Sequence, residues 1–519
     1  MSLIRNTTRA VRFGALLAVP VGLMVACTDL QESPTSLITK DNFFKNSDEV
    51  LAGTAAVYAN LRNQFEDYYA VQQVSSEETV VPTRGSDWFD NGAWLELANQ
   101  GWTPTSIIGL REVNGIWNQQ YAGVARANIV LEALETVTIP GQAAVRAELR
   151  TLRAMFYLNL MDMYGGIPIA TSTKVENRAA VSRDSVFRFI ESELREARAD
   201  LPRTWPDQYG RVTQGAADAM LASLYVNARV YTGTVSATGL AAGTARWASA
   251  DSAATRVLNS GTYTLEPDIK TNFSPTNQNS RENIFVVRSK PEDGLGFRRQ
   301  YQTLHYNSIS PGDGGWNGWS VVAETYRRFD AADARRTMIL IGPQFGLGNP
   351  TAPVFVRGST TQQLNFTIDI ANIREANESE GPRNYKYPID PARVAGWNGN
   401  DYAIYRLGEM MLIKAEALNE LGQTPAAIAL VNTLRARNFT PARPITVTSQ
   451  VDVRRAIFNE RLFELYSEGK RRTDQIREGT YSSGTWFGKS AATAAHKILL
   501  PIPQPQLDVN PLLRQNPGY

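Results

Sequence analysis
The strongest constraint in this sequence is an apolar stripe with a helical period. Between Val145 and Met163, the residues Leu149, Leu152, Phe156, Leu160 and Met163 return every three or four positions, while Arg146, Arg150 and Arg153 take the other face. A period of 3.6 gathers such a set on one side of a helix, and Gly165-Gly166 ends it. The same reasoning predicts a helix from about Arg183 to Asp200, a third near Gln214 to Tyr231, and its partner near Trp247 to Asn259. These are expected to form antiparallel pairs.

The clearest pair comes late. Tyr402 to Leu421 carries one stripe of Met410, Ile413, Ala417 and Leu421 and a second of Leu407, Met411 and Leu418, and Gly422 suits the left-handed position after a helix. Thr424 is then expected to cap a helix with Pro425 at its first position, with Ala427, Leu430, Val431 and Leu434 on one face. The unit resembles a tetratricopeptide (TPR) repeat, whose period is about 34 residues. One helix pair cannot bury its apolar face alone, so such units stack. From about Gly261 to Gly396 the pattern gives way to Gly, Pro, Asn and Trp, with runs such as Asn283-Ile-Phe-Val-Val-Arg288 that waver between strand and loop. The expected fold is mainly α: a TPR-like scaffold of helical pairs over 41–260 and 397–519, with a loop-rich insertion over 261–396 that contains short strands.

The first residues set the location. Arg5, Arg9 and Arg12 form a basic start, Phe13 to Met24 is apolar but interrupted by Gly14, Pro20 and Gly22, and Leu23-Met-Val-Ala-Cys27 follows. This pattern reads as a signal peptide over 1–26 ending in a lipobox, with Cys27 the acylated first residue of the mature chain and 27–40 a polar tether. The apolar run is short of the roughly 20 residues that cross a bilayer, so the protein is expected to be anchored and not to span. Removing that leader takes the 53 basic residues to 50 against 51 acidic ones, a net charge near −1. A balanced surface lacks the field that draws a protein to nucleic acid.

Catalytic constellations are scarce. Cys27 is the single cysteine, and His305 and His496 are the only histidines, so no disulfide framework, cysteine zinc site or HExxH helix can be written. Gly484-Thr-Trp-Phe-Gly488-Lys489-Ser490 is one residue short of a phosphate-binding P-loop and follows a helix where a strand is needed. Gly312-Asp-Gly-Gly-Trp-Asn-Gly318 lacks dinucleotide spacing and reads as a flexible binding loop. Glu460, Glu464 and Glu468, with Arg461, Lys470, Arg471 and Arg472 nearby, read as an ion-pair network at a helix end. No catalytic residue, metal or cofactor is expected, although 51 acidic residues leave a two-carboxylate glycosidase open.

Three stretches together resemble the SusD/RagB family of nutrient-binding lipoproteins. They are Leu149-Arg-Thr-Leu-Arg-Ala-Met-Phe-Tyr157 leading to Met163-Tyr-Gly-Gly-Ile-Pro-Ile169; Tyr405 to Gly422 running into Val431-Asn-Thr-Leu-Arg-Ala-Arg437 and Asn459 to Asp474; and the ending Leu500-Pro-Ile-Pro503, Asn510-Pro511 and Gln515-Asn-Pro-Gly-Tyr519. Tyr326 to Arg336, with Asp330, Asp333 and Arg335, is similar to the family's middle region. The resemblance implies an outer-membrane lipoprotein facing outward, whose loops bind oligosaccharide without hydrolysing it and whose partner is a SusC-like TonB-dependent transporter. A peptide-binding member of the same family, a lipid-anchored glycoside hydrolase and a purely structural scaffold are the alternatives.

Sugars present apolar CH faces ringed by hydroxyls, so a binder needs flat aromatic rings edged by amides, carboxylates or guanidinium groups. Two segments supply that mixture: Trp88 with Arg84, Asp87 and Asn91, and Tyr306, Trp316 and Trp319 with Asn307, Asp313 and Asn317. The resemblance implies binding loops in these same two regions. Trp316 and Trp319, set among glycines, lead the candidates, and Trp397 ranks behind them. Trp117 and Tyr157 fall among core-spaced positions. Cys27→Ala is expected to leave the outer-membrane fraction, and the intact wild type to carry the mass of its acyl chains; a variant that stays with the membrane beside an unlipidated wild type overturns the anchor.

Overall fold
The computed structural model describes residues 44–206, 208–309 and 314–519. Cys27, the leader and the tether lie outside the described residues, as does Asp313. The helices Ser47–Ala59, Asn114–Ala133, Gln142–Tyr164, Arg183–Asp200, Gln214–Val226, Trp247–Leu258, Leu407–Glu420, Thr424–Asn438 and Gln450–Leu465 each pack against the next in this order. The result is a run of helical pairs sharing one apolar core, the TPR-like arrangement the stripes predict. Leu258 and Leu407 end and begin two helices that pack on each other, so the chain between them leaves the stack and returns to it. That excursion carries most of the strands, and among the described residues every sheet has two strands, paired antiparallel.

The charged face of Gln142–Tyr164 does not look to solvent. Arg150 and Arg153 reach Glu193 of the next helix at 2.7 and 2.6 Å, and Arg153 also donates to Asn128 at 2.7 Å. Trp117 and Tyr157 are buried in the core, and Gly165 closes the helix at φ 76°.

Three local expectations shift. The helix predicted to Tyr231 breaks at Asn227, whose side-chain amide donates to Ser223 O at 2.9 Å and competes with the helix ladder. Tyr402–Arg406 is a strand, not a first helical turn: it pairs with Asn283–Val287, and all ten residues are buried. An apolar stretch with no polar face fits either structure locally, so the distant partner decides. Gly422 takes φ 79° as expected, but Gln423 precedes the next helix and Thr424 is its first residue, its hydroxyl bonded to Asn419 Oδ1 at 3.0 Å.

A buried ion-pair cluster ties the excursion to the stack. Arg406, fully buried, meets Glu282 at 2.8 Å, Glu464 at 2.6 Å and Glu468 at 2.8 Å. Arg335 meets Asp333, Glu460 and Glu464 at 2.7, 2.7 and 3.0 Å, while Arg437, Arg435 and Lys386 bind Glu282, Glu460 and Glu468. Glu468 lies beyond the helix end, after Ser467 at φ 61°. The cations next to these glutamates in sequence serve a second layer, in which Arg461 pairs with Asp474, Lys470 with Glu409, Arg471 with Glu77 and Arg472 with Asp162.

Burial alone would push Glu464 up, but Arg437, Arg406 and Arg335 outweigh it and hold the carboxylate well below its ordinary range. Its contribution to stability is therefore present at neutral pH and is lost only under acid. Glu464→Ala takes one buried carboxylate partner from each of Arg335, Arg406 and Arg437 and is expected to cost about 3–5 kcal/mol in urea unfolding at neutral pH. Glu78 behaves oppositely: burial, only partly offset by Arg471, the Ser467 N–H and Lys386, pushes it from 4.5 to about 8. The folded state holds the extra proton across that window, so wild-type stability falls as pH rises through it. Glu78→Gln is expected to flatten that slope, and an unchanged slope in the variant overturns the assignment.

Candidate functional site
The antiparallel pair Thr79–Val80 with Ser320–Val321 draws together the two segments singled out above. Two buried arginines brace the junction. Arg84 donates to Ser320 Oγ at 2.9 Å, to Glu380 O at 2.8 Å and to Asn377 O. Arg383 donates to Ser320 Oγ at 2.8 Å and to Asn317 Oδ1 at 2.9 Å, and Asn317 in turn donates to Glu378 O at 3.0 Å. Burial pushes Arg84 down to about 10 and Arg383 well below its usual range. The structure thus places Arg84 and Asn317 beneath the surface, as struts under the loops.

The glycines beside Trp316 serve close approach. A Cβ on Gly314 or Gly315 would fall 1.7 Å from Tyr306 O or 1.9 Å from Leu304 O, and one on Gly318 would fall 2.1 Å from the Trp88 ring. Backbone bonds from Gly315, Trp316 and Asn317 to His305, Tyr301 and Leu304 fix the segment, so its glycines give packing and not freedom. Trp319 is 3% exposed, stacked on Tyr69 at 5.9 Å and edge-on to Trp94 at 5.6 Å. Trp316, three residues earlier, is 43% exposed.

Trp88 bridges the two. It sits at φ 63°, a left-handed conformation that a bulky side chain rarely takes, and Asp90 and Asn91 follow at 39° and 54°. Its Nε1 donates to Trp316 O at 2.7 Å, and its ring tilts against Trp94 at 5.7 Å. Phe89 beside it is 53% exposed, and Asn91 is exposed. Tyr306 donates to Asp87, and the Arg357 guanidinium lies over the Tyr306 ring at 4.0 Å and 3.7 Å from Asp87. Burial and the Asp87 bond push the Tyr306 phenol up to about 12, so it stays a neutral donor. Asn307 is exposed but donates to Phe355 O at 2.9 Å.

Arg298 lies 6.0 Å over the Trp316 ring, 5.3 Å over Tyr301 and 4.6 Å over Trp397. Trp397 is half-buried. The rings of Trp88, Phe89, Trp316 and Trp397, edged by Arg298, Arg357, Asp87 and Tyr306, can stack the flat apolar faces of a ligand and bond the hydroxyls around them. Sequence reasoning missed Phe89, Arg298 and Arg357. Phe89 had a signal in its neighbour Trp88, whereas the two arginines stand in stretches that carry none.

Two family models divide the chain. The SusD family matches residues 281–519, and a family described as starch-binding and associating with the outer membrane matches residues 30–226. The starch-binding protein SusD of Bacteroides thetaiotaomicron is 24% identical over 482 residues, spanning 83% of this chain and 82% of its own. The SusD-like protein P2 of Formosa agariphila is 26% identical over 536 residues, spanning 96% and 97%. Among solved structures, a laminarin-binding SusD-like protein superposes with a TM-score of 0.71 at 23% identity, over 92% of this chain and all of its own. A SusD-like protein from Bacteroides fragilis gives 0.74 at 20%, over 94% and all of its own. The structures speak for the fold, and the family models, which leave out only 227–280 after residue 30, speak for descent: the chain belongs to the SusD/RagB family.

Proposed function
We propose that this protein captures glycans without altering them and passes them to a SusC-like TonB-dependent transporter, held at the outer membrane by lipid on Cys27. The observation that carries the reading is Trp316, an exposed ring whose backbone carbonyl accepts from the Trp88 indole and near whose face the Arg298 guanidinium lies. A sugar ring stacks on such a face while guanidinium and phenol groups reach its hydroxyls. The starch-binding and laminarin-binding relatives support the same ligand class. The nearby carboxylates are engaged, Asp87 by Tyr306 and Asp90 by Trp94 Nε1 at 2.6 Å, which favours binding over hydrolysis. No helix among the described residues is long and apolar enough to cross a membrane. A tethered binder needs a protein-lined path to move a polar ligand through hydrocarbon, and a barrel partner supplies one.

Trp316→Ala is expected to weaken glycan binding by about 1–3 kcal/mol in calorimetry with its melting temperature unchanged. Trp319→Ala is expected to cost about 3–5 kcal/mol of stability, because it empties a core position under the site. Equal affinity for wild type and Trp316→Ala moves the site elsewhere. A glycan array run beside a peptide library tests the ligand class, and shortened oligosaccharides released by pure protein overturn the non-catalytic reading. Mild-detergent purification of the tagged protein is expected to co-isolate one barrel in comparable amount; recovery of the lipoprotein alone, with uptake unaffected by its deletion, counts against the transporter.

A further inference from the structure
A second groove opens away from the Trp88 and Trp316 loops. It has two chambers of about 430 and 520 Å³ that meet at Tyr209, Gly210, Arg211 and Arg288. Its far wall is a half-buried tryptophan, Trp205, whose ring is held at its indole nitrogen and on one face. Trp205 Nε1 donates to Val212 O at 2.6 Å, and the Arg211 guanidinium covers one ring face at 3.6 Å. Arg211 is held in turn by the fully buried Glu148, with Nε to Oε1 at 2.9 Å, and Tyr58 bonds the same carboxylate while accepting from Val212 N at 2.7 Å. Tyr209 stands next to it with Arg288 5.9 Å over its ring. A buried carboxylate that locks an arginine behind a tryptophan preorganises that ring for stacking.

The larger chamber leads back to the first site. It ends at Lys290, Asp293 and the exposed Leu295, in a turn closed by backbone bonds of 2.9 Å between Lys290 and Leu295. Arg62, from the chamber's wall, donates to Gly296 O at 2.7 Å and fixes that turn. A Cβ on Gly294 would lie 3.9 Å from Trp397 Nε1, and Arg298 joins Trp397 to Trp316. Aromatic rings with guanidinium groups over them thus stand at both places, Trp205 and Tyr209 in the groove and Trp397 and Trp316 at the first site.

We propose that the groove at Trp205 and Tyr209 is a second subsite for the same glycan chain, so that the protein selects polysaccharide over short oligosaccharide by holding two separated stretches of one polymer. The inference rests on the glycan-binding reading above. Two subsites on one chain raise affinity through effective concentration, and a short ligand gains nothing from the second.

The test compares soluble starch and laminarin with maltoheptaose and laminarihexaose on wild type, Trp205→Ala, Ala55→Trp and Trp316→Ala. Ala55 is exposed on the helix Ser47–Ala59 and lines the larger chamber, so a tryptophan there fills the groove without touching the core. Trp205→Ala and Ala55→Trp are expected to weaken polymer binding about tenfold and to leave oligosaccharide binding within about twofold, whereas Trp316→Ala lowers both. An unchanged polymer-to-oligosaccharide ratio in Ala55→Trp, or protection of Trp205 fluorescence by a casein digest and not by glycan, overturns the subsite alone. Should the wild type bind neither glucan, a polysaccharide and its own hexasaccharide from the array take their place; a wild type that binds no polysaccharide overturns the glycan reading and the subsite with it.

Discussion
Arg406 is the point where three distant stretches of chain are forced to meet. It ends the strand Tyr402–Arg406, and its guanidinium is closed in by Glu282 from the excursion and by Glu464 and Glu468 from the C-terminal region. A charge buried this deeply is tolerable only when its carboxylates arrive in the right geometry, so any fold that misplaces one of the three stretches leaves an unpaired ion in the core. Gly408 belongs to the same constraint, since a Cβ there would come within 2.7 Å of Arg406 and 2.8 Å of Glu464. Replacement of the whole cluster by apolar side chains could match its stability; what the ions add is a penalty on wrong assembly. The helical stack is thereby locked to the long excursion that carries the Trp316 loop of the candidate site.

This lock also explains what the sequence could and could not reveal. Helices such as Arg183–Asp200, with its stripe and its Ser182 cap, and Gln142–Tyr164, with its stripe and its Gly165 stop, carry their signals locally and lie where their stripes put them. Tyr402–Arg406 is different, because its strand partner Asn283–Val287 lies more than a hundred residues away and no local pattern encodes the pairing. Glu460 and Glu464 advertise an ion-pair network, but their partners Arg335, Arg406, Arg435 and Arg437 come from other helices and from the excursion. The chemistry was legible in residue types, whereas the identity of each partner depended on topology.

At the candidate site the limit is finer. Trp316 and Trp319 sit in one glycine-rich run and look equivalent in sequence, yet one is open and the other stacks in the core under it. The segment turns between them at Asn317, whose left-handed φ of 50° is held by Arg383 and the carbonyl of Glu378. A single residue of that kind reverses which face a neighbouring ring presents, and composition does not announce it.

Rigidity is the property these details share. Trp88, Asp90 and Asn91 occupy left-handed backbone within four residues, a conformation of order 1–3 kcal/mol each that persists only where the surroundings over-determine it. The surroundings do so here: Arg84 anchors the loop from below, Trp94 packs the ring, and the Trp88 indole bonds the Trp316 carbonyl. A loop already held in this state surrenders little further freedom when a ligand arrives, so each weak stacking contact contributes more of its energy to affinity. The glycines of the other segment act to the same end: a side chain at Gly318 would strike the Trp88 ring and part the two loops, and one at Gly314 or Gly315 would strike the backbone of Tyr306 or Leu304 within its own loop. Strain in one segment and close glycine contacts in the other thus act together, holding the Trp88 and Trp316 loops in one arrangement at the expense of folding stability.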